Sequence, residues 1–518
     1  MSTTRFVGAS RAAAAAVAVV IAFTMTACFP FDFFDRDDES TTKPTGEKVA
    51  PELERYYSQV LQWDGCGSGA QCATAFAPMD WANPSEDTDI ELALTRHIAE
   101  DEPLGSLFVN PGGPGGSGYD FVHDHSAVDF AVSDALQQNY DIIGWDPRGV
   151  GRSTPVTCFD DAGLDDFLFG IPESQPESPE WVAEVTQSSV DFATACLDNT
   201  GEALGFMDTV NTTRDLDMMR ALVGDPKLNF LGYSYGSKIA TTYIDLFPAK
   251  VGRLVLDGAL DPSLTDSEVF ITQSAGFEKS LRAYLTACPE LLRCPFSGNP
   301  DVDTARIAAL YDQLNANPIP GEDGRLLDGG VLDIATSTAL YSEESWPYLN
   351  DMFAEVEDGD SFTAFLLADF YYGRDGGEYL DNSFESFVAV QCLDSPAVVD
   401  PAAVAAQSAA LVAAAPTFSR PSALGDVLCG NWPFPVTGPA PAEASGDGAD
   451  PVLVISTTGD PATPYEWGVS LARQLSNGRL VTYDGEGHTA YNKESDCVNS
   501  VVDDYFIDGT VPDGDTEC

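Results

Sequence analysis

The chain has 518 residues, 44% of them apolar, which suits a globular protein with one large core and an insertion, or with two domains. Its 82 acidic residues face only 25 Lys and Arg, a formal net charge of -57. That balance excludes nucleic-acid binding, which needs clustered cations to replace phosphate counterions. It leaves a solvated acidic surface, or a field that draws in cationic ligands such as free amino termini.

Residues 1–28 read as an export signal. Arg5 and Arg11 form a positive start, AAAAAVAVVIAF supplies an apolar stretch too short for a bilayer-spanning helix, and MTAC follows. Cys28 stands where a bacterial lipoprotein signal carries its acylated cysteine, although Met25 occupies a position where leucine is usual; plain secretion is the other reading. With Cys28 acylated, residues 29–55, which open FPFDFFDRDDESTTKPTGEK, become an acidic tether between membrane and folded domain. Several acyl chains would hold it firmly where one would not.

Of the 11 cysteines, setting Cys28 aside leaves an even set of ten, as expected in an oxidising compartment. Chain order suggests local pairs: Cys66 with Cys72, Cys158 with Cys196, Cys288 with Cys294, Cys392 with Cys429 and Cys497 with Cys518. Spacing alone does not determine the connectivity. A zinc site is disfavoured, since no C-x-x-C pair or nearby histidine cluster accompanies them.

From 56 to 262 strand-like and helix-like segments alternate. GSLFVN, YDIIGWD, LNFLGYS and GRLVLDG are short, apolar and rich in branched or aromatic residues, while SPEWVAEVTQSSVDFATACL and TTRDLDMMRALVG carry a helical pattern. Buried strands between helices predict an α/β fold, a mostly parallel sheet with helices on both faces. Residues 263–430 read as an inserted, mainly helical cap, with FITQSAGFEKSLRAYLTAC, DTARIAALYDQLNA, SWPYLNDMFAEVED, SFTAFLLADFYYG and DPAAVAAQSAALVAAA as its helices. Residues 431–518 return to the core through PVLVIST and RLVTYDG.

The stretch LNFLGYSYGSKIA places Ser234 between Gly232 and Gly236, where a strand gives way to a helix. Strand, tight turn and helix form the context in which G-x-S-x-G acts as a nucleophile elbow. A serine nucleophile needs a base, and the base an orienting acid. Of four histidines, His97 lies in a polar stretch and reads as a surface residue. His123 and His125 form H-D-H after a glycine-rich loop, at the mouth or the surface, without further metal ligands at a recognisable spacing. His488 follows the strand LVTYD, and Asp460 ends VLVISTTGD, both at carboxyl ends of predicted strands. The order Ser234, Asp460, His488 is that of an α/β-hydrolase triad. NPGGPGGSG after the strand SLFV offers backbone donors for an oxyanion, with Gly113 and Tyr235 N–H as the assigned pair. It lacks the Gly-Lys-Ser/Thr ending of a phosphate loop.

NPGGPGGSG, DPRGVGRS, GYSYG, LDGALDP, AVQCLD, DPATP and GEGHT together resemble actinobacterial exported tripeptidyl aminopeptidases, which stand with the prolyl aminopeptidases among the S33 serine peptidases. The resemblance runs from about Trp63 to Cys518. It implies an α/β-hydrolase core with a helical cap, exopeptidase action on unblocked peptide amino termini, and Ser234 as nucleophile, Asp460 as acid and His488 as base. No cofactor or metal is expected. A carboxylate in the cap would read the substrate's protonated amine. Glu343, Glu344 and Asp394 are candidates, each also readable as one more surface acid among 82. Two rival functions remain: an ester hydrolase with the same triad, and a surface-anchored binding protein that no longer reacts. Oligomeric state is not readable from the sequence.

Overall fold

The runs that read as buried strands form the middle of one large sheet. In a computed structural model, which describes residues 40–176, 178–419, 425–493 and 495–518, eleven strands pair in this sheet. They are β1 (Ser40–Thr41), β2 (Gln62–Gly67), β3 (Ala70–Pro78), β4 (Asp89–His97), β5 (Ser106–Asn110), β6 (Asp141–Trp145), β7 (Leu228–Tyr233), β8 (Val251–Asp257), β9 (Val452–Gly459), β10 (Gly478–Glu486) and β11 (Thr516–Glu517). Their order is β1-β2-β3-β4-β6-β5-β7-β8-β9-β10-β11. The pairs from β6 to β11 are parallel, and those from β1 to β4, with β4 on β6, are antiparallel.

Alternation along the strands divides the core into two layers. Phe108, Ile143, Phe230, Leu254 and Val454 pack on one face with Leu216, Met219, Ile239 and Tyr243, from helices Thr209–Val223 and Gly236–Leu246. Leu107, Val109, Ile142, Leu231, Val255 and Ile455 pack on the other with Val122, Val498, Val502 and Phe506, from helices Gly118–His123 and Asp496–Asp508. Every residue of β5 is buried, which is why SLFVN reads as one apolar run and not as an alternating pattern. Each such side chain contributes roughly 1.5–3 kcal/mol by leaving water.

The antiparallel edge is less visible in the sequence. In β3, AQCATAFAP, the inward positions are mostly alanines, too small to stand out against their polar neighbours. His97, which reads as a surface residue, ends β4 and is only 8% exposed. Its Nε2 lies 3.2 Å from the His123 carbonyl oxygen and its ring 5.3 Å from that of His125. Burial lowers its pKa. Cys66, Cys72 and His123 also come within metal-ligating distance of one another, but the two sulfurs are joined in a disulfide.

The expected tether meets the fold earlier than 55. Ser40 pairs with Trp63, Thr45 N–H donates to the Ala221 carbonyl, Glu47 salt-bridges the buried Arg220, and Tyr56 and Tyr57 are buried. Ion pairs and two aromatic rings anchor a stretch whose composition reads as a linker. Cys28 and the export signal lie outside the described residues.

Between β8 and β9 the chain is mainly helical, with helices Asp266–Ala287, Pro300–Ala316, Gly329–Leu340, Trp346–Glu357, Phe362–Tyr372, Ser383–Asp394 and Pro401–Ala414. Leu281, Leu332, Leu349, Phe353 and Ala368 give this block a core of its own. That core also takes Phe169 from the helix Asp161–Phe169, so an earlier excursion of the chain joins the helical layer. Val156 and Phe192 of this excursion pack on Val388, Ala389 and Leu393 of helix Ser383–Asp394. The disulfides Cys158–Cys196 and Cys392–Cys429 sit in the same cluster, and three more join Cys66–Cys72, Cys288–Cys294 and Cys497–Cys518.

Glu385 is buried at this seam, 5% exposed, and its Oε1 accepts the N–H groups of Cys158 at 2.6 Å and Phe159 at 3.2 Å. Burial pushes its carboxyl up to about 7, from an ordinary 4.5. The folded state therefore holds a proton that the unfolded chain has released between those two values, and stability falls as pH rises through that window. Glu385→Gln keeps an oxygen acceptor and removes the ionisation. It should leave the melting temperature near wild type at pH 4.5 and raise stability by a few kcal/mol at pH 8. Parallel thermal melts check this; equal wild-type and variant curves at pH 8 would contradict it.

Candidate active site

Ser234 directly follows β7 and has a φ of +52°, a left-handed conformation that costs a non-glycine residue on the order of 1–2 kcal/mol. Three hydrogen bonds hold it there. Its N–H donates to the Asp257 carbonyl at 2.8 Å, and its carbonyl accepts the Ser237 N–H at 2.8 Å and the Ser237 hydroxyl at 2.6 Å. The turn is so tight that a Cβ on Gly232 would lie 2.7 Å from the backbone of Gly236. Glycine is required here by the closeness of the chain to itself.

Asp460 and His488 follow β9 and β10, so serine, acid and histidine all stand at carboxyl ends of neighbouring parallel strands. His488 Nδ1 lies 3.0 Å from Asp460 Oδ1 and 2.9 Å from Oδ2. The Asp460 side chain is fully buried and the imidazole is 11% exposed. Asp460 Oδ1 also accepts Ala462 N–H at 2.9 Å and Thr463 N–H at 2.8 Å, and Oδ2 accepts the Thr463 hydroxyl at 2.9 Å. A carboxylate only accepts, so Nδ1 carries a proton, and in the neutral ring Nε2 is the acceptor. Ser234 Oγ makes no hydrogen bond among the described residues.

Asp257, at the end of β8, braces both partners. Its carbonyl holds Ser234, while its buried carboxylate accepts Ala490 N–H at 2.9 Å and Tyr491 N–H at 2.8 Å, just beyond His488. A Cβ on the next residue, Gly258, would sit 2.9 Å from His488 Cε1, which places the imidazole against the strand end that holds the elbow. LDGALDP reads as a family motif in the sequence, but its bracing role does not, because the two loops it joins lie far apart along the chain.

The glycine-rich loop after β5 lies on the elbow. Gly112 has a φ of +99°, and a Cβ there would be 2.9 Å from Ser234 Cβ and 3.2 Å from Tyr235 N. Asn110 Oδ1 accepts Gly112 N–H at 3.0 Å, and Asp146 of DPRGVGRS accepts the Ser117 hydroxyl at 2.5 Å, so the loop is held at both ends. Among the described residues, the N–H groups of Gly113 and Tyr235 make no hydrogen bond to the protein.

The three amine-recognition candidates separate. Glu343 and Glu344 are exposed and directly follow Tyr341 and Ser342. The Tyr341 carbonyl accepts His488 N–H at 2.8 Å and its ring meets the imidazole edge-on at 5.5 Å. The segment that carries the two carboxylates thus packs on His488 through Tyr341. Asp394 does not stand free: it is 6% exposed, accepts Thr209 N–H at 2.9 Å and the Thr209 hydroxyl at 2.5 Å, and pairs with Lys238 at 2.7 Å. Three of its acceptor sites are thus taken by groups of the protein itself.

Strand order, helices on both sheet faces and a serine on a strained strand-to-helix turn define an α/β hydrolase. Residues 415–518 match the family model described as TAP-like protein. Over 481 residues the chain is 35% identical to the protein named Serine protease Hip1 of Mycobacterium tuberculosis, covering 89% of this chain and 91% of that one. It is 39% identical over 456 residues to Carboxylesterase B of the same organism, covering 87% and 86%. Over 480 residues it is 29% identical to Tripeptidyl aminopeptidase of Streptomyces lividans, covering 88% and 86%. The chain belongs to this family of tripeptidyl-aminopeptidase-like serine hydrolases.

Proposed function

We propose that the protein is an exported serine exopeptidase that releases short peptides, tripeptides foremost, from free amino termini. The observation that carries the reading is the buried Asp460–His488 pair, set on the strand ends beside a serine in strained backbone. Ser234 Oγ attacks the scissile carbonyl while His488 Nε2 takes its proton. The oxyanion accepts from Gly113 and Tyr235 N–H, and the imidazolium returns its proton to the leaving amine. Water, activated by the same imidazole, then frees the acyl enzyme. Asp460 keeps the proton on Nδ1 throughout.

Glu343 and Glu344 are the groups we assign to the substrate's ammonium, within a field already made negative by a net charge of -57. Acetylating the amino terminus of a tripeptide anilide should lower kcat/KM at least about tenfold, the scale of a lost charge-assisted hydrogen bond. Glu343→Gln/Glu344→Gln should lose most of that preference. Equal rates on free and acetylated substrate would remove the aminopeptidase reading and favour an ester hydrolase. That second reading is supported by the relative named Carboxylesterase B, and an acyl enzyme serves either bond. Anchoring through an acylated Cys28, with secretion as the alternative, completes the proposal. It places the domain on the outer face of the cytoplasmic membrane.

A further inference from the structure

One cap helix reaches both sides of the proposed oxyanion hole, one through the loop at Gly115 and the other through Thr209. Helix Ser383–Asp394 begins against the glycine-rich loop, where a Cβ on Gly115 would lie 2.2 Å from the Ser383 carbonyl oxygen and 3.0 Å from Phe387 N. Its last residue, Asp394, ends a chain of polar groups that leads to Tyr235. Asp394 Oδ2 accepts the Thr209 hydroxyl at 2.5 Å, and Thr209 Oγ1 lies 2.6 Å from the Tyr235 hydroxyl. Since the carboxylate, paired with Lys238 at 2.7 Å, only accepts, Thr209 donates to Asp394 and receives from Tyr235. The direction of every proton in the chain is set.

Thr209, Tyr235 and Asp394 are all buried, at 2%, 6% and 6% exposure. Burial first, and the Asp394 charge second, raise the Tyr235 phenol well above its ordinary value, so it remains a donor. The backbone N–H of Tyr235 has no protein partner among the described residues, and Ser234 before it is in strained left-handed backbone. The anchored phenol ring is thus the side-chain restraint on a peptide group that has to point outward.

We propose that helix Ser383–Asp394 acts as a strut that sets the separation of the two oxyanion donors, with Thr209 and Asp394 as positioning residues acting through the Tyr235 side chain. The inference rests on the serine-hydrolase reading above. It gives the cap a part in catalysis in addition to covering the site, and it gives Asp394 a role other than contact with substrate.

The test uses the full chain, with kcat and KM measured on a free-amine tripeptide anilide for Thr209→Val, Thr209→Ser and Tyr235→Phe. A shifted donor should cost about tenfold in kcat, a fraction of the 10²–10³ lost with a whole donor, with KM within about twofold. Thr209→Ser keeps the hydroxyl and should stay within about twofold of wild type in both constants. If Thr209→Val does not fold, Tyr235→Phe, which removes one oxygen atom, carries the test. Wild-type kcat in Tyr235→Phe would overturn the proposal, as would a raised KM at unchanged kcat or an equal loss in Thr209→Ser. Labelling of wild-type Ser234 by a fluorophosphonate, checked alongside, separates the two levels. With labelling intact and kcat unmoved only the strut fails; without labelling the hydrolase reading itself fails.

Discussion

Replacing Ser234 by alanine should lower kcat by a factor on the order of 10⁶, with KM nearly unchanged. On the proposed mechanism the oxygen removed is the atom that forms the acyl enzyme. Ser237, the nearest other serine, spends its hydroxyl on the Ser234 carbonyl and accepts Leu260 N–H at 2.9 Å, and the flanking Tyr233 and Tyr235 hydroxyls bond to the Ala131 carbonyl and to Thr209. Structure should survive the change, because the turn is held by backbone contacts with Asp257 and Ser237 that alanine retains. The residual rate, about 10³–10⁴ over water in comparable triads, would come from the oxyanion donors and from binding. A folded Ser234→Ala protein that turns over within tenfold of wild type would rule out Ser234 as nucleophile.

Asp460→Asn should cost about 10⁴ in kcat, by the same logic that governs other triads. The surroundings make the prediction specific to this site. Oδ1 of Asp460 accepts two backbone N–H groups, from Ala462 and Thr463, so the amide oxygen of an asparagine would settle there. Its NH₂ would then face His488 Nδ1 and the Thr463 hydroxyl. Nδ1 would have to accept, moving the ring proton to Nε2, where it blocks removal of the serine proton. The loss should fall on kcat with the fold intact. A drop of less than about tenfold would show that Asp460 does not orient the base.

The candidate triad was more legible in the chain than the frame that holds it. Ser234 stands out as the candidate nucleophile because a nucleophile elbow is a local device of strand, glycine, serine and glycine within thirteen residues. Asp460 and His488 were readable because each closes an apolar run and opens a polar turn. Asp257, Thr209 and Asp146 were not readable in their bracing roles, since each acts on a segment distant in sequence and gives no periodic signal. Asp394 was legible as a carboxylate in a motif, but not its burial or its partners Thr209 and Lys238, because sequence shows that a carboxylate is present and not what it meets. The antiparallel edge was hidden for a related reason: alanine-rich β3 and polar-looking β4 are half-buried strands whose pattern is faint.

The chain's own order of apolar runs, glycines and turn residues settles the parallel core, the helical block between β8 and β9 and the identity of the three residues at the strand ends. Those features follow from local conformational preference and from period-two or helical burial, which act over short stretches. The bracing of serine and histidine by Asp257, the pairing of Asp394 with Lys238, the seating of Tyr341 against the imidazole and the joining of residues 160–206 to the cap were decided by packing. Such contacts depend on which distant surfaces meet in the folded molecule, and a carboxylate's meaning changes entirely with the donors it finds there.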